Sequence, residues 1–249
     1  MVSSIHNNKI GVIVQCRMNS SRLKNKLMLK IGRHHIIEIL LKRLKIIKNV
    51  SLVCAIAKER NNYKLKKIIK KNNVDFYEGP TLNVLKRYYT LAYKRKFDII
   101  VRVTSDCPLI DPSLIEKGMK IFMSKNIDYL SNNLIQTWPQ GLDFEIFSFK
   151  SLKESFMKST TNSQKEHVTE YLRSKNKIKK YNLKSSINLK KYFRWTVDTK
   201  LDYKFLKKLF YQKPTLIKDF DWFNLYNYLN KNYHIQSINA SSHHFYFKN

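Results

Sequence analysis

Two aspartates and three cations carry most of the chemistry legible in this 249-residue sequence. Arg17, Arg22 and Lys26 follow the short apolar run 10–14 (Ile-Gly-Val-Ile-Val) and are spaced by Ser, Asn and Met. Asp106 comes just after a strand-like run ending at Val103, and Asp198 just after Phe193-Arg-Trp-Thr-Val197. Neither has a capping duty. Asp111, by contrast, reads as a helix N-cap with Pro112 at the first helical position. Thr199 and Asp202 form a second N-cap pair and leave Asp198 at the end of its strand with no structural role. Two uncommitted aspartates about 90 residues apart, with three cations after the first strand, make a coherent nucleotidyl-transfer site.

Such a site needs elements that bring its parts to one edge. From residue 9 to about 131 short apolar runs alternate with longer amphipathic ones. Strands are expected at 10–14, 50–56, 74–77 and 97–103, and helices at 36–47, 62–71, 82–94 and 113–124. This alternation predicts parallel strands joined by crossover helices, a three-layer α/β/α arrangement. Its first strand, cationic loop and helix mark the place where open α/β sheets receive a phosphate ligand. Solvation of an ordinary surface loop explains the same cations equally well.

Two further strings are polar where structure alone does not require it. From Leu142 onward residues alternate with period two, so Asp143 and Glu145 share one strand face and Leu142, Phe144 and Ile146 the other. A rim strand with one wet face accounts for that pattern without any function. Ser163 and Glu166 have the spacing of a capping box, which accounts for Glu166 but not for His167.

The strings also resemble a family. Arg17-Met-Asn-Ser20-Ser21-Arg22-Leu-Lys-Asn25-Lys26-Leu is similar to the nucleotide-binding signature of the cytidylyltransferases that activate acidic sugars, in the branch with the spore-coat polysaccharide proteins. The family reads Pro-Gly where Lys24-Asn25 stand. Asn tolerates positive φ best among non-glycine residues, so Asn25 is expected to keep the turn. Ser105-Asp106-Cys-Pro-Leu-Ile resembles the family's Gly-Asp-x-Pro-Leu-Ile, with Ser105 in place of glycine. Pro139-Gln-Gly141-Leu-Asp143-Phe-Glu145, Glu166-His167-Val-Thr and Val197-Asp198-Thr-x-x-Asp202 match three more of its segments. The resemblance spans residues 9 to about 205, and its separate strings agree in order.

It implies a mostly parallel nucleotide-diphosphosugar transferase fold of the Rossmann-like, GT-A-like kind. It further implies Mg²⁺ held by Asp106 and Asp198, and CTP contacted by Arg17, Ser20, Ser21, Arg22, Lys26 and Ser105. Arg17, Arg22, Lys26 and Asp106 would act in catalysis. An acidic sugar would lie beside Gly141, Asp143, Glu145, Glu166 and His167, and a homodimer is the assembly left open. The products would be a CMP-sugar and pyrophosphate, serving polysaccharide or glycan synthesis. Whether the sugar is sialic-type, octulosonate-type or another, and whether a different nucleotide is used, stays open.

The formal net charge of +30 first suggests nucleic acid or an anionic membrane. Much of it is Lys spread through helical segments such as Lys64–Lys71 and Lys204–Lys208, amid abundant Asn, Ile, Tyr and Phe. An AT-rich coding sequence drifts towards that mixture. No zinc finger, helix-turn-helix or RNP-like string accompanies it. A basic nucleic-acid-binding or scaffold protein on the same fold is the competing reading. Cys16, Cys54 and Cys107 form no CxxC and imply reduced thiols, and the seven histidines show no metal-ligand spacing. No run approaches a membrane span and the N-terminus lacks a secretory pattern, so a cytoplasmic protein of one domain, residues 1–249, is expected, with its core at about 9–205. Residues 206–249 are expected to add C-terminal helices and an aromatic tail, Phe245-Tyr-Phe247.

Overall fold

β-Branched residues in runs too short for a helix set the sheet. In the computed structural model, which describes residues 8–20, 22–217 and 221–243, β1 (Ile10–Cys16) lies inside a seven-stranded sheet. Val12, Val14 and Cys16 join one apolar cluster and Ile13 the opposite one, as side-chain alternation demands of a strand covered on both faces. Burial of each such side chain stabilises the fold by roughly 1.5–3 kcal/mol.

The chain continues through the ribbon of β2 (Lys30–Ile31) and β3 (His34–His35) into α1 (Ile36–Leu44), β4 (Ser51–Ala57), α2 (Tyr63–Lys71), β5 (Asp75–Gly79) and α3 (Val84–Arg95). Next come β6 (Ile99–Thr104), α4 (Pro112–Ser124), β7 (Tyr129–Ser131), β8 (Phe144–Ser148) and α5 (Phe149–Lys158). The short helices α6 (Asn162–Glu166) and α7 (Glu170–Ser174), β9 (Lys180–Asn182), α8 (Lys200–Gln212) and α9 (Trp222–Lys231) follow. The sheet order is β5-β4-β1-β6-β8-β7-β9. All its strands run the same way except β8, which is antiparallel to both β6 and β7.

Apolar residues of α1, α2, α4, α8 and α9 pack on one face of the sheet, and those of α3, α5 and α7 on the other. The expected three-layer, mostly parallel architecture is therefore present. Among the described residues no helix is long and apolar enough to cross a membrane. All three cysteines are buried free thiols.

Several local expectations change. Glu145 faces no solvent: it is 2% exposed, because the face it shares with Phe147 is covered by helices. The capping box sits two residues earlier than expected, with Thr161 as N-cap and Gln164 closing it; both pairs have the right spacing, and only the first meets extended backbone at the cap. The short strands β7 and β9, and the helix α5, were not legible as periodic runs. The aromatic stretch 245–247 lies outside the described residues.

Candidate active site

The loop after β1 is held from below by its apolar residues and from the side by a carboxylate. Met18 and Leu27 are buried, and Glu59 accepts the backbone N–H groups of Met18 at 3.1 Å and Asn19 at 3.3 Å. Asn25 takes φ 53°, the left-handed conformation that asparagine tolerates. It opens the 3₁₀ turn Lys26–Met28, which directs Lys26 inward.

Lys26 is the convergence point. Its Nζ lies 2.9 Å from Asp106 Oδ2 and 2.8 Å from Asp198 Oδ1. The two carboxylate oxygens are therefore no further apart than the sum of those distances. Burial opposes the charge on Lys26, but the two carboxylates outweigh it and raise its pKa. Burial likewise pushes Asp106 up, yet Lys26 and the Thr104 hydroxyl bring it down to about 2. Arg22 Nη2 reaches Asp198 Oδ2 at 3.3 Å. Asp198 thus has structural partners, contrary to the reading that left it none. Two hard carboxylates sharing one cation form a donor set that Mg²⁺ accepts, with its other ligands from phosphate and water. No larger metal-holding cluster of His, Cys, Asp and Glu occurs among the described residues.

A buried scaffold fixes Asp198. Arg194, fully buried, reaches Asp202 through Nε at 3.0 Å and Asp198 through Nη2 at 3.3 Å. Asp202, closing the expected cap box of α8, accepts the N–H groups of Asp198 at 3.0 Å and Thr199 at 2.9 Å. The segment before Asp198 is tied to the loop after β6, with Val197 N–H donating to Asp106 O at 2.9 Å. It also crosses Gly141 closely. With φ 109°, Gly141 leaves no room for a Cβ, which would meet Trp195 C at 2.4 Å and Thr196 N at 2.5 Å, so packing requires the glycine.

Because β8 runs against β6, it begins where β6 ends, with Phe144 opposite Val103. Asp143 and Glu145 are thereby delivered to the edge that carries Asp106. They line a polar cavity of about 300 Å³ with Arg102, Asn133, Gln140 and Arg173. Glu145 is neutralised inside it: Arg102 Nη1, Tyr129 Oη and Thr169 Oγ1 all donate to its carboxylate, and Arg173 stands 3.9 Å away. Despite burial, those partners hold its pKa below the usual value. Arg102 also donates from Nη2 to Gln15 Oε1 at 2.9 Å. Among the described residues Asp143 has no cation of its own. Burial pushes it up to about 6, although Gly141 N–H and Asn133 Nδ2 donate to it.

His167 and Glu170 line a second cavity of about 450 Å³ that shares Arg102, Glu145 and Arg173 with the first. Glu166 stands apart from both cavities and lies 3.8 Å from Arg17, each largely exposed. Ser105 is buried and donates its N–H to Gln15 O at 3.2 Å. Ser20 is half-buried in the loop, and Ser21 lies outside the described residues. Sequence reasoning missed Arg102, Arg173, Arg194 and Glu59. Only Arg102 announces itself, as one charge within Ile-Ile-Val-Arg-Val.

The profile of the family described as Cytidylyltransferase matches residues 11–233. The chain is 34% identical over 236 residues to an uncharacterized protein of Methanocaldococcus jannaschii, covering 94% of this chain and 95% of that protein. It is 27% identical over 233 residues to the spore coat polysaccharide biosynthesis protein SpsF of Bacillus subtilis, covering 90% and 95%. Among solved structures, a cytidylyltransferase from Leptospira borgpetersenii serovar Hardjo-bovis superposes with a TM-score of 0.86 at 31% identity, covering 92% of this chain and 96% of that one.

Proposed function

This chain belongs to the cytidylyltransferase family, and from that premise we propose that it transfers the CMP unit of CTP to a hydroxyl of an acidic sugar for polysaccharide or glycan synthesis. The observation that carries the reading is the meeting of Asp106, Asp198 and Lys26 within 2.9 Å contacts at the sheet edge where the polar cavity opens. The sugar hydroxyl oxygen bonds to the α-phosphorus, the α–β phosphoanhydride bond breaks, and pyrophosphate leaves with the electron pair.

Arg17, Arg22 and Lys26 neutralise the triphosphate and the departing pyrophosphate, where preorganised positive charge is worth most. When phosphate enters, Lys26 and Arg22 exchange carboxylate partners for phosphate oxygens. Asp106 and Asp198 are the residues that would hold Mg²⁺, whose charge would stabilise the crowded α-phosphate. Arg173, half-exposed where the two cavities meet, supports the acidic-sugar part of the reading, because a planar guanidinium pairs bidentately with a carboxylate. Asp143, with a pKa of about 6, accepts the hydroxyl proton near neutral pH.

The test is a panel of nucleoside triphosphates against acidic sugars, followed by pyrophosphate release. The reading expects release with CTP and at least one acidic sugar. No release with any pair, from a folded sample, overturns it.

A further inference from the structure

On the flank of the sheet away from the polar cavity, the β2–β3 ribbon, the end of α1 and the second half of α8 enclose a groove of about 1160 Å³. Its floor and walls are apolar: Ile31, Phe210 and Ile217 below, with Ile46 53% and Tyr211 83% exposed at the lip. Its rim is cationic, carrying Arg33, Lys42, Lys204, Lys207 and Lys208, and no acidic side chain lines it. Among the described residues none of these five cations forms an ion pair with a carboxylate; Lys42 instead contacts His34, and Lys207 lies over the Tyr203 ring. The walls are fixed relative to one another, since Tyr203 Oη on α8 donates to Lys30 O of the ribbon at 2.6 Å.

We propose that this groove is a docking site for an acidic amphipathic helix of a partner protein. The size supports that occupant. A helix about 10–12 Å across rising 5.4 Å per turn fills on the order of 1000 Å³ in two turns. The charge supports it as well: acidic side chains flanking an apolar stripe would meet the cations while the stripe covers Ile46 and Tyr211, the helix-in-groove mode of recognition. A second copy of this chain packed groove to groove would set the same five cations against one another. A bilayer presents a flat face that cannot enter a concave groove.

The test uses the full chain and two fluorescein-labelled synthetic peptides of about 18 residues, long enough for helix to form in water. They share one Leu/Glu-rich composition. One places Leu at i, i+3, i+4 and i+7 along its length, and the other has the same residues scrambled. Anisotropy titrations are run at about 0.15 M salt, where bulk charge is screened beyond about 8 Å. The patterned peptide should bind at least about tenfold more tightly than the scrambled one. Ile46→Glu and Tyr211→Glu, both at exposed positions, should each weaken it about tenfold, the loss typical of a contact that anchors an interface. Thermal melts and transferase turnover report that the variants are folded. Equal binding of the two peptides, binding of neither, or affinity indifferent to both variants overturns the proposal. Binding to phosphatidylglycerol vesicles that Ile46→Glu abolishes, without patterned-peptide binding, overturns it in favour of a membrane surface.

Discussion

The ammonium of Lys26 lies 2.8 Å from the carboxylate of Asp198, a residue 172 positions later in the chain, and the same ammonium holds Asp106 at 2.9 Å. One side chain thus closes the gap between the loop after β1 and two carboxylates supplied by distant segments. It also keeps like charges from facing each other unscreened.

Removing that cation has a pH signature. Asp106 titrates at about 2 in the folded chain against an ordinary value of 3.8, so it contributes stability above pH ~4 that is lost as pH falls through about 2. The shift corresponds to roughly 2 kcal/mol. In Lys26→Met this contribution should vanish, and the remaining carboxylate pair should lower stability near neutrality. Urea denaturation at pH 7 and pH 3 checks it: the variant should be much weaker than the parent at pH 7 and closer to it at pH 3. An equal deficit at both values would remove the ion pair as the cause.

Asp143 should behave in the opposite sense. Its folded pKa of about 6 exceeds the ordinary 3.8, so the stability it lends is present below pH ~4 and lost as pH rises through 6. The cost at neutral pH is on the order of 2–3 kcal/mol. Asp143→Asn should therefore melt higher than the parent at pH 7.5 while showing no such gain at pH 4, and should lose the acid limb of kcat/KM near pH 6. A residue that weakens its own fold at working pH is what a functional carboxylate looks like. Identical melts at pH 7.5 and an unchanged acid limb would count against both roles.

Glu145 answers a different question, since its buried charge is fully partnered. Glu145→Gln would leave Arg102 beneath the pocket without its counter-charge. Breaking a buried pair by removing one partner typically costs about 3–5 kcal/mol. The expected result is a large drop in the denaturation midpoint, and Arg102→Met with Glu145→Leu together should recover much of it. Failure of the double variant to recover any stability would show that the hydrogen bonds from Tyr129 and Thr169, not the ion pair, dominate.

Arg173 offers a test that separates the proposed sugar contact from nucleotide binding. Its side chain is 39% exposed, so Arg173→Ala should fold normally. Losing a charged hydrogen bond of about 1.5–3 kcal/mol should raise KM for an acidic sugar about 10- to 100-fold, leaving KM for CTP near its parent value. Arg173→Lys should restore part of the effect. If KM for CTP rises in parallel, Arg173 acts on the site as a whole and not on the sugar carboxylate.

The alternation of apolar and amphipathic segments up to residue 131 made the layered fold legible, because each of those strands and helices carries its own period. The three-residue strands β7 and β9 are too short for any period, and they form because β8 offers an edge to β7 and β7 in turn offers one to β9. Arg22, Lys26, Asp106 and Asp198, which the structure brings together, were legible through strings of fixed order. Arg173 and Arg194 were not, since their value comes from which loop they meet, 40 and 54 residues earlier in the chain for Asn133 and Gln140. Thr161 and Ser163 show a subtler limit: two caps of equal spacing compete, and backbone context chooses between them.

The role of Asp106 and Asp198 can be tested by removing one charge and keeping the shape. In Asp106→Asn, Lys26 keeps Asp198 as its partner, and in Asp198→Asn it keeps Asp106. Neither variant strands the ammonium alone, so each should remain folded, with stability reduced by no more than about 1–3 kcal/mol. Loss of one well-placed electrostatic contact in a catalytic site costs about 10² to 10³ in rate. Asp198→Asn also weakens the contacts from Arg22 and Arg194, so it should shift the melt more than Asp106→Asn does. The measurement is CMP-sugar formation against Mg²⁺ concentration, with circular dichroism on the same samples and with Asp111→Asn, the α4 cap, as the structural comparison. Folded variants at either position that turn over at near-parent rates, with an unchanged Mg²⁺ dependence, would exclude that carboxylate from the chemistry. A cap variant that loses stability while retaining the Mg²⁺ dependence would confirm that the assay separates fold from mechanism.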